Sequence, residues 1–188
     1  SRQSTQQQDG ITETKLMDLA DGNLRKEWFP SLDQLAAKAQ LRQFVYGEAP
    51  ILPEIDQFGR EWFKDVCPVN MGLSITSGAV DSLERLMSAH LLPGDQVIVE
   101  DPCYLGSSTA IKLAGMHPVG VSIDSDGMVA DELESKLSKG ARAVLITPRA
   151  HNPTGCCYSK QRAEAIREVL SRYPNVLVLI DDHFALLA

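Results

Sequence analysis

Two stretches combine polar side chains able to do chemistry with apolar runs able to fix them in place. They are Val144 to Gly155, VLITPRAHNPTG, and Val176 to His183, VLVLIDDH. In each, a β-branched apolar run stops abruptly at polar residues, the pattern of a strand buried on both faces that emerges into a site. Both therefore read as central strands. The crevice beyond the carboxyl ends of parallel strands is where open α/β sheets bind ligands, so Asn152 and Asp181 become candidates for one shared pocket. Pro153 and Gly155 place Asn152 in a tight turn that holds its amide. Asp181 closes an apolar run, and a carboxylate so placed requires a partner. The ordinary alternatives are plain turn chemistry for Asn152 and a helix cap for Asp181; it is their joint order along the chain that favours a site.

Two further candidates precede them. Leu73 to Thr76 reads as a short strand running into Ser77-Gly78-Ala79, followed by a helix with Leu83, Leu86, Met87 and His90 that stops at Pro93-Gly94. At such a helix start, free backbone N–H groups and the positive end of the helix dipole can hold a phosphate. An ordinary helix cap is the competing reading. Tyr104 follows the strand Gln96 to Val99, where its ring could cover a flat ligand or simply lie half-buried at the surface.

These residues need elements to position them. Ser31 and Gln34 form a capping-box pattern that starts a helix over 31–44, and Pro53 starts an amphipathic helix through Phe63. Beyond Tyr104 the pattern gives helix 107–114, strand 117–122, helix 130–137, strand 143–147, helix 159–171 and strand 175–180. Such alternation means an α/β fold, a mostly parallel central sheet with helices on both faces. The opening SRQSTQQQDG has no hydrophobic residue that could seed a core, so residues 1–12 read as an interdomain linker, 13–45 as an arm and helix, and 46–188 as the main domain. The stretch from Leu16 to Phe29 reads as an extended arm.

The 188 residues are 44% hydrophobic, enough for a sizeable core. No run approaches the roughly 18 to 20 apolar residues of a membrane span, and the start lacks a secretory core, which gives a cytoplasmic expectation. Cys67, Cys103, Cys156 and Cys157 show no metal-site spacing and read as free thiols, with no metal expected. The net charge of −7 argues against nucleic-acid binding by these residues themselves.

Taken in order, Tyr46-Gly47, Ser77-Gly78-Ala79, PGDQVIVEDPCY from Pro93 to Tyr104, HNPTG at 151–155 and Asp181 resemble the motifs of fold-type I pyridoxal-phosphate enzymes, the aspartate aminotransferase superfamily. With LADGNLRKEWFP and VEDPCYLG, the chain is most similar to the aminotransferase-like domain of MocR-type regulators of the GntR family. The resemblance implies the large domain of that fold, incomplete at its C-terminus, with pyridoxal phosphate as cofactor. It assigns the cofactor phosphate to Ser77, Gly78 and Ala79, ring stacking to Tyr104, the ring oxygen to Asn152 and the ring nitrogen to Asp181. Tyr46 would reach the phosphate of a neighbouring subunit in a homodimer. Where the family has a Tyr after the aspartate, this chain has His183 and Phe184; His183 can still donate from a ring nitrogen. The Schiff-base lysine is expected beyond Ala188, so no catalytic residue is assigned, and the chain reads as part of a longer protein.

Two functions follow from the resemblance. One is a ligand-sensing domain of a transcriptional regulator, with DNA bound by a domain outside this chain; the other is an aminotransferase acting on amino acids. The Gln-rich linker and the missing Tyr favour the regulator. A receiver-type domain, suggested by Asp181-Asp182, fits less well, because such acid pairs follow an early strand.

Overall fold

Alternate residues of the first strand point to opposite faces and both faces are covered, which fixes the layer structure. The computed structural model describes residues 25–39, 43–67 and 70–185. The strands are Gln96–Asp101 (β1), His117–Asp124 (β2), Gly127–Met128 (β3), Ala143–Ile146 (β4) and Leu177–Ile180 (β5), in the spatial order β3-β2-β1-β4-β5. β1 is parallel to β2, with Gln96 opposite His117, and to β4, with Val97 opposite Ala143; β4 is parallel to β5. Among the described strands, β3 alone is antiparallel, against β2.

The helices are Leu32–Lys38 (α1), Pro53–Phe63 (α2), Ala79–His90 (α3), Leu105–Leu113 (α4), Ala130–Leu137 (α5) and Lys160–Ser171 (α6). On one face of the sheet Leu83, Met87 and Ile111 of α3 and α4 pack on Val97, Val99, Ala143 and Leu145. On the other, Leu133, Leu137, Ile166 and Val169 of α5 and α6 pack on Ile98, Val121, Val144 and Ile146. Each such aliphatic side chain contributes about 1.5–3 kcal/mol when fully buried, so two such clusters are what hold the strand ends in register.

The chain divides between Pro50 and Ile51 into two units. In the first, Ser31 caps α1 by accepting from the Gln34 N–H. α1 ends at Lys38, short of the expected Phe44; no residue of it is buried, and a helix without a packed face gains no tertiary support for propagation. The expected linker, and the expected arm up to Leu24, lie outside the described residues; Lys26–Trp28 forms a single exposed 3-10 turn.

The second unit holds the sheet. α2 and α5 keep their expected limits. Two expectations are corrected. Leu73–Thr76 is not a strand, because no described strand lies beside it to complete a ladder. β5, expected to be central, is the last of the described strands, and its Val178 and Ile180 are exposed while β4 is buried throughout.

Candidate functional site

The carboxyl ends of β1, β4 and β5 lie side by side, so the segments carrying Tyr104, Asn152 and Asp181 leave one edge of the sheet. The Asp181 N–H donates to the Ile146 carbonyl at 2.9 Å, which extends the β4–β5 ladder and fixes where the Asp181 side chain begins. Side chains then stitch the ends together. Arg149 and Asp182 form a two-pronged ion pair, Nη2 to Oδ2 at 2.8 Å and Nε to Oδ1 at 2.7 Å, between the segments after β4 and β5. Glu100, near the end of β1, accepts from the Thr147 N–H at 3.0 Å just past β4.

The start of α3 reaches the same edge. Val80 and Glu84 from its first turns line, with Tyr104, Leu105, Gly106 and Thr109, an apolar groove of about 430 Å³. Gly78 is the N-cap, with φ of 108° and no side-chain cap, and a Cβ there would meet nothing within 4 Å. Glycine is required by that backbone angle, and the helix's first N–H groups are left without a side-chain acceptor. The Ser77 N–H is different: it donates to Asp81 Oδ2 at 2.8 Å. That bond, followed by the one from Arg85, holds the Asp81 carboxyl below the usual range. Ser77 is thus left its hydroxyl as a donor. The Tyr104 ring lies directly against Gly106, where a Cβ would stand 2.4 Å from the ring.

The remaining expected residues are placed as follows. Asn152 is exposed in the turn after β4, and Asp181 is half-buried. His183 is exposed, with its ring edge-on to Phe184 at 4.7 Å. Tyr46 belongs to the first unit, where it is fully exposed.

Beneath the Asn152 turn lies a polar cluster that the sequence reading did not single out. Glu100 and His151 are 2% and 1% exposed. Tyr158 donates its hydroxyl to Glu100 Oε1 at 2.7 Å, and His151 Nε2 lies 3.2 Å from Oε2. The other ring nitrogen, Nδ1, is 2.8 Å from Thr154 Oγ1. Burial pushes the Glu100 carboxyl above its usual range, opposed by the Tyr158 hydroxyl, the Thr147 N–H and His151. Burial, and then the Glu100 charge, push the Tyr158 phenol upward as well. The signal available in sequence was Glu100 itself, an acid following Val97-Ile98-Val99 inside a strand, which demands a partner.

The raised Glu100 carboxyl has a sign that can be tested. The folded state holds its proton more tightly than the unfolded state, so this group's contribution is present below the ordinary value of 4.5 and lost as pH rises through the folded value. Wild type is therefore expected to lose stability relative to Glu100→Gln as pH rises above 4.5. Urea unfolding of both proteins from pH 4 to 8 measures it, and a constant difference across the range contradicts the assignment.

The four cysteines are free thiols. Among the described residues no cluster of His, Cys, Asp and Glu is placed to hold a metal ion, and no helix is long and apolar enough to cross a membrane.

Comparison with known proteins places this geometry. Residues 14–188 match the family described as aminotransferase class I and II. The chain is 49% identical over 179 residues to the vitamin B6 salvage pathway transcriptional repressor PtsJ of Salmonella typhimurium, covering 95% of this chain and 42% of that protein. It is 29% identical to the uncharacterized HTH-type transcriptional regulator YdfD of Bacillus subtilis, covering 90% and 36%. Among solved structures, an archaeal alanine:glyoxylate aminotransferase superposes with a TM-score of 0.61 at 30% identity, over 69% of this chain and 34% of that one. The chain thus spans less than half the length of these relatives, and the aminotransferase family it matches and its structural neighbours are pyridoxal-phosphate dependent. The match over residues 14–188, on a sheet whose parallel strands β1, β4 and β5 end side by side at the segments carrying Tyr104, Asn152 and Asp181, assigns the chain to the class I and II aminotransferase family.

Proposed function

We propose that this chain is the pyridoxal-phosphate-binding, ligand-sensing domain of a GntR/MocR-type transcriptional regulator, with DNA bound by a domain outside these residues. The observation that carries the reading is the 49% identity over nearly the whole chain to a repressor of vitamin B6 salvage. A cytoplasmic homodimer is part of the proposal, with Tyr46 reaching the neighbouring subunit's phosphate site.

The residues present fit the cofactor. Gly78 is an uncapped helix start with open space around it, suited to an anion. Its N–H, that of Ala79 and the Ser77 hydroxyl would hold the phosphate. Tyr104, braced on Gly106, would cover the ring; Asn152 would donate to the ring oxygen, with His183 as a second donor, and Asp181 would accept from the ring nitrogen. When bound, the cofactor supplies an electron-withdrawing ring. The chain's own part is to orient that ring and hold a proton at its nitrogen.

A ligand shifts a regulator only as far as it binds the two states differently. Pyridoxal phosphate is expected to change the DNA affinity of the full-length protein by about fivefold or more, the usual scale of such coupling. Fluorescence anisotropy with operator DNA, with and without pyridoxal phosphate, measures this, and equal affinities contradict the reading. The second reading, an aminotransferase, is favoured by the family match itself. Turnover of an amino acid with a keto acid at about 1 per second or faster would favour it.

Asn152→Ala tests the ring contact. It is expected to shift the absorbance maximum of bound pyridoxal phosphate while leaving the fold intact, because an exposed turn amide contributes about 1 kcal/mol or less. An unaltered spectrum removes Asn152 from the site.

A further inference from the structure

The buried cluster under the turn runs from Glu100 through His151 to Thr154. An ionised Glu100 carboxylate can only accept: its donors are the Tyr158 hydroxyl and the Thr147 N–H, and His151 Nε2 lies 3.2 Å from its second oxygen. Nε2 has no other polar partner, and the 3.2 Å approach is off the line of a good hydrogen bond. In the tautomer that carries its proton on Nε2, facing the carboxylate, Nδ1 accepts from the Thr154 hydroxyl. The Thr154 oxygen in turn accepts from the Cys156 N–H at 3.3 Å. Two main-chain bonds close the same turn, Gly155 N–H to the His151 carbonyl and His151 N–H to the Cys156 carbonyl. Asn152 sits inside this turn, between the anchored His151 and Pro153.

Stability alone does not account for the cluster. Apolar side chains of similar volume would fill this space without the desolvation penalty of a buried carboxylate beside an imidazole. We propose that Glu100 and His151 are positioning residues of the cofactor site: Glu100 fixes the tautomer and ring orientation of His151, which through Thr154 holds the turn that aims the Asn152 amide. This rests on the reading that Asn152 meets the cofactor ring. Glu100→Gln keeps the shape but presents an amide N–H to Nε2, which moves the ring proton to Nδ1 and reverses the order of the chain. Thr154→Val breaks the chain at its far end and leaves the buried carboxylate untouched.

The test uses the full-length protein and pyridoxal phosphate as the probe, in wild type, Glu100→Gln, Thr154→Val, Asn152→Ala and the double variants with Asn152→Ala. Glu100→Gln and Thr154→Val are each expected to shift the bound-cofactor absorbance in the direction that Asn152→Ala shifts it, and to weaken affinity by about threefold or more. In the Asn152→Ala background the same substitutions should cost less than about 1.5-fold, because they act through that amide. Wild-type spectrum and affinity in both single variants, with Asn152→Ala still shifted, overturns the positioning role and leaves the cofactor reading standing. Full effects persisting in the Asn152→Ala background overturn it too. A silent Asn152→Ala removes the contact on which both rest. If Glu100→Gln does not fold, Thr154→Val alone decides.

Discussion

Asp181→Ala in the full-length protein is expected to weaken pyridoxal-phosphate binding by about 2 to 5 kcal/mol, or roughly thirtyfold to several thousandfold, the usual cost of removing one partner of a hydrogen-bonded charge pair. The proposed partner is the protonated ring nitrogen, and alanine would leave that charge facing a shortened side chain. Asp181→Asn should fall between wild type and alanine, since it keeps an acceptor and loses the charge. The fold should survive both changes. The main-chain bond from the Asp181 N–H to the Ile146 carbonyl does not involve the side chain, and the Arg149–Asp182 ion pair next to it remains. Absorbance titration with pyridoxal phosphate measures the affinity, and urea unfolding checks the fold. An affinity within twofold of wild type takes Asp181 out of the site.

The strands and helices from Pro93 onward were legible because each carries its own period and its own stop. β1, β2 and β4 are apolar runs ended by acids or by Pro148, and α5 and α6 show apolar residues at helical spacing. What failed was what depends on neighbours distant in sequence. Leu73–Thr76 has strand-like composition, but a strand exists only where a ladder partner lies beside it. β5 has the composition of a central strand and is the last of the described strands. The two-residue β3 was too short to carry any period.

The same division runs through the site. Asn152, Asp181, Tyr104 and Gly78 could be singled out in sequence as candidates because each lies in a segment that follows a strand or precedes a helix, where turn residues gather. The Glu100 cluster could not, since its members are separated by up to 58 positions and meet only through the register of β1 against β4. His151 beside Asn152 reads as one more polar turn residue; only its burial shows that it points inward while its neighbour points out. The Arg149–Asp182 pair is likewise visible only when the segments after β4 and β5 are side by side.

Gly127→Ala is expected to destabilise the protein by about 2 to 5 kcal/mol, combining an unfavourable backbone angle with overpacking. Gly127 has φ of 112°, which L side chains rarely adopt, and an added Cβ would stand 2.5 Å from Tyr158 Cδ1 and 2.7 Å from Cε1. The ring cannot simply swing away. Its hydroxyl is tied to Glu100, the Tyr158 N–H donates to the Pro148 carbonyl at 2.8 Å, and the ring packs on the α5–α6 side of the core. Urea unfolding gives the magnitude, and a change under about 0.5 kcal/mol, the level of an ordinary surface substitution, contradicts the steric argument. Repeating the substitution in a Tyr158→Ala background separates its two causes, since the clash is removed there while the backbone strain stays. Because Tyr158 is also a donor to Glu100, displacing its ring disturbs the carboxylate beneath the Asn152 turn. Any Gly127→Ala protein that remains folded should therefore bind pyridoxal phosphate with a shifted spectrum, although Gly127 itself lies in the β2–β3 hairpin.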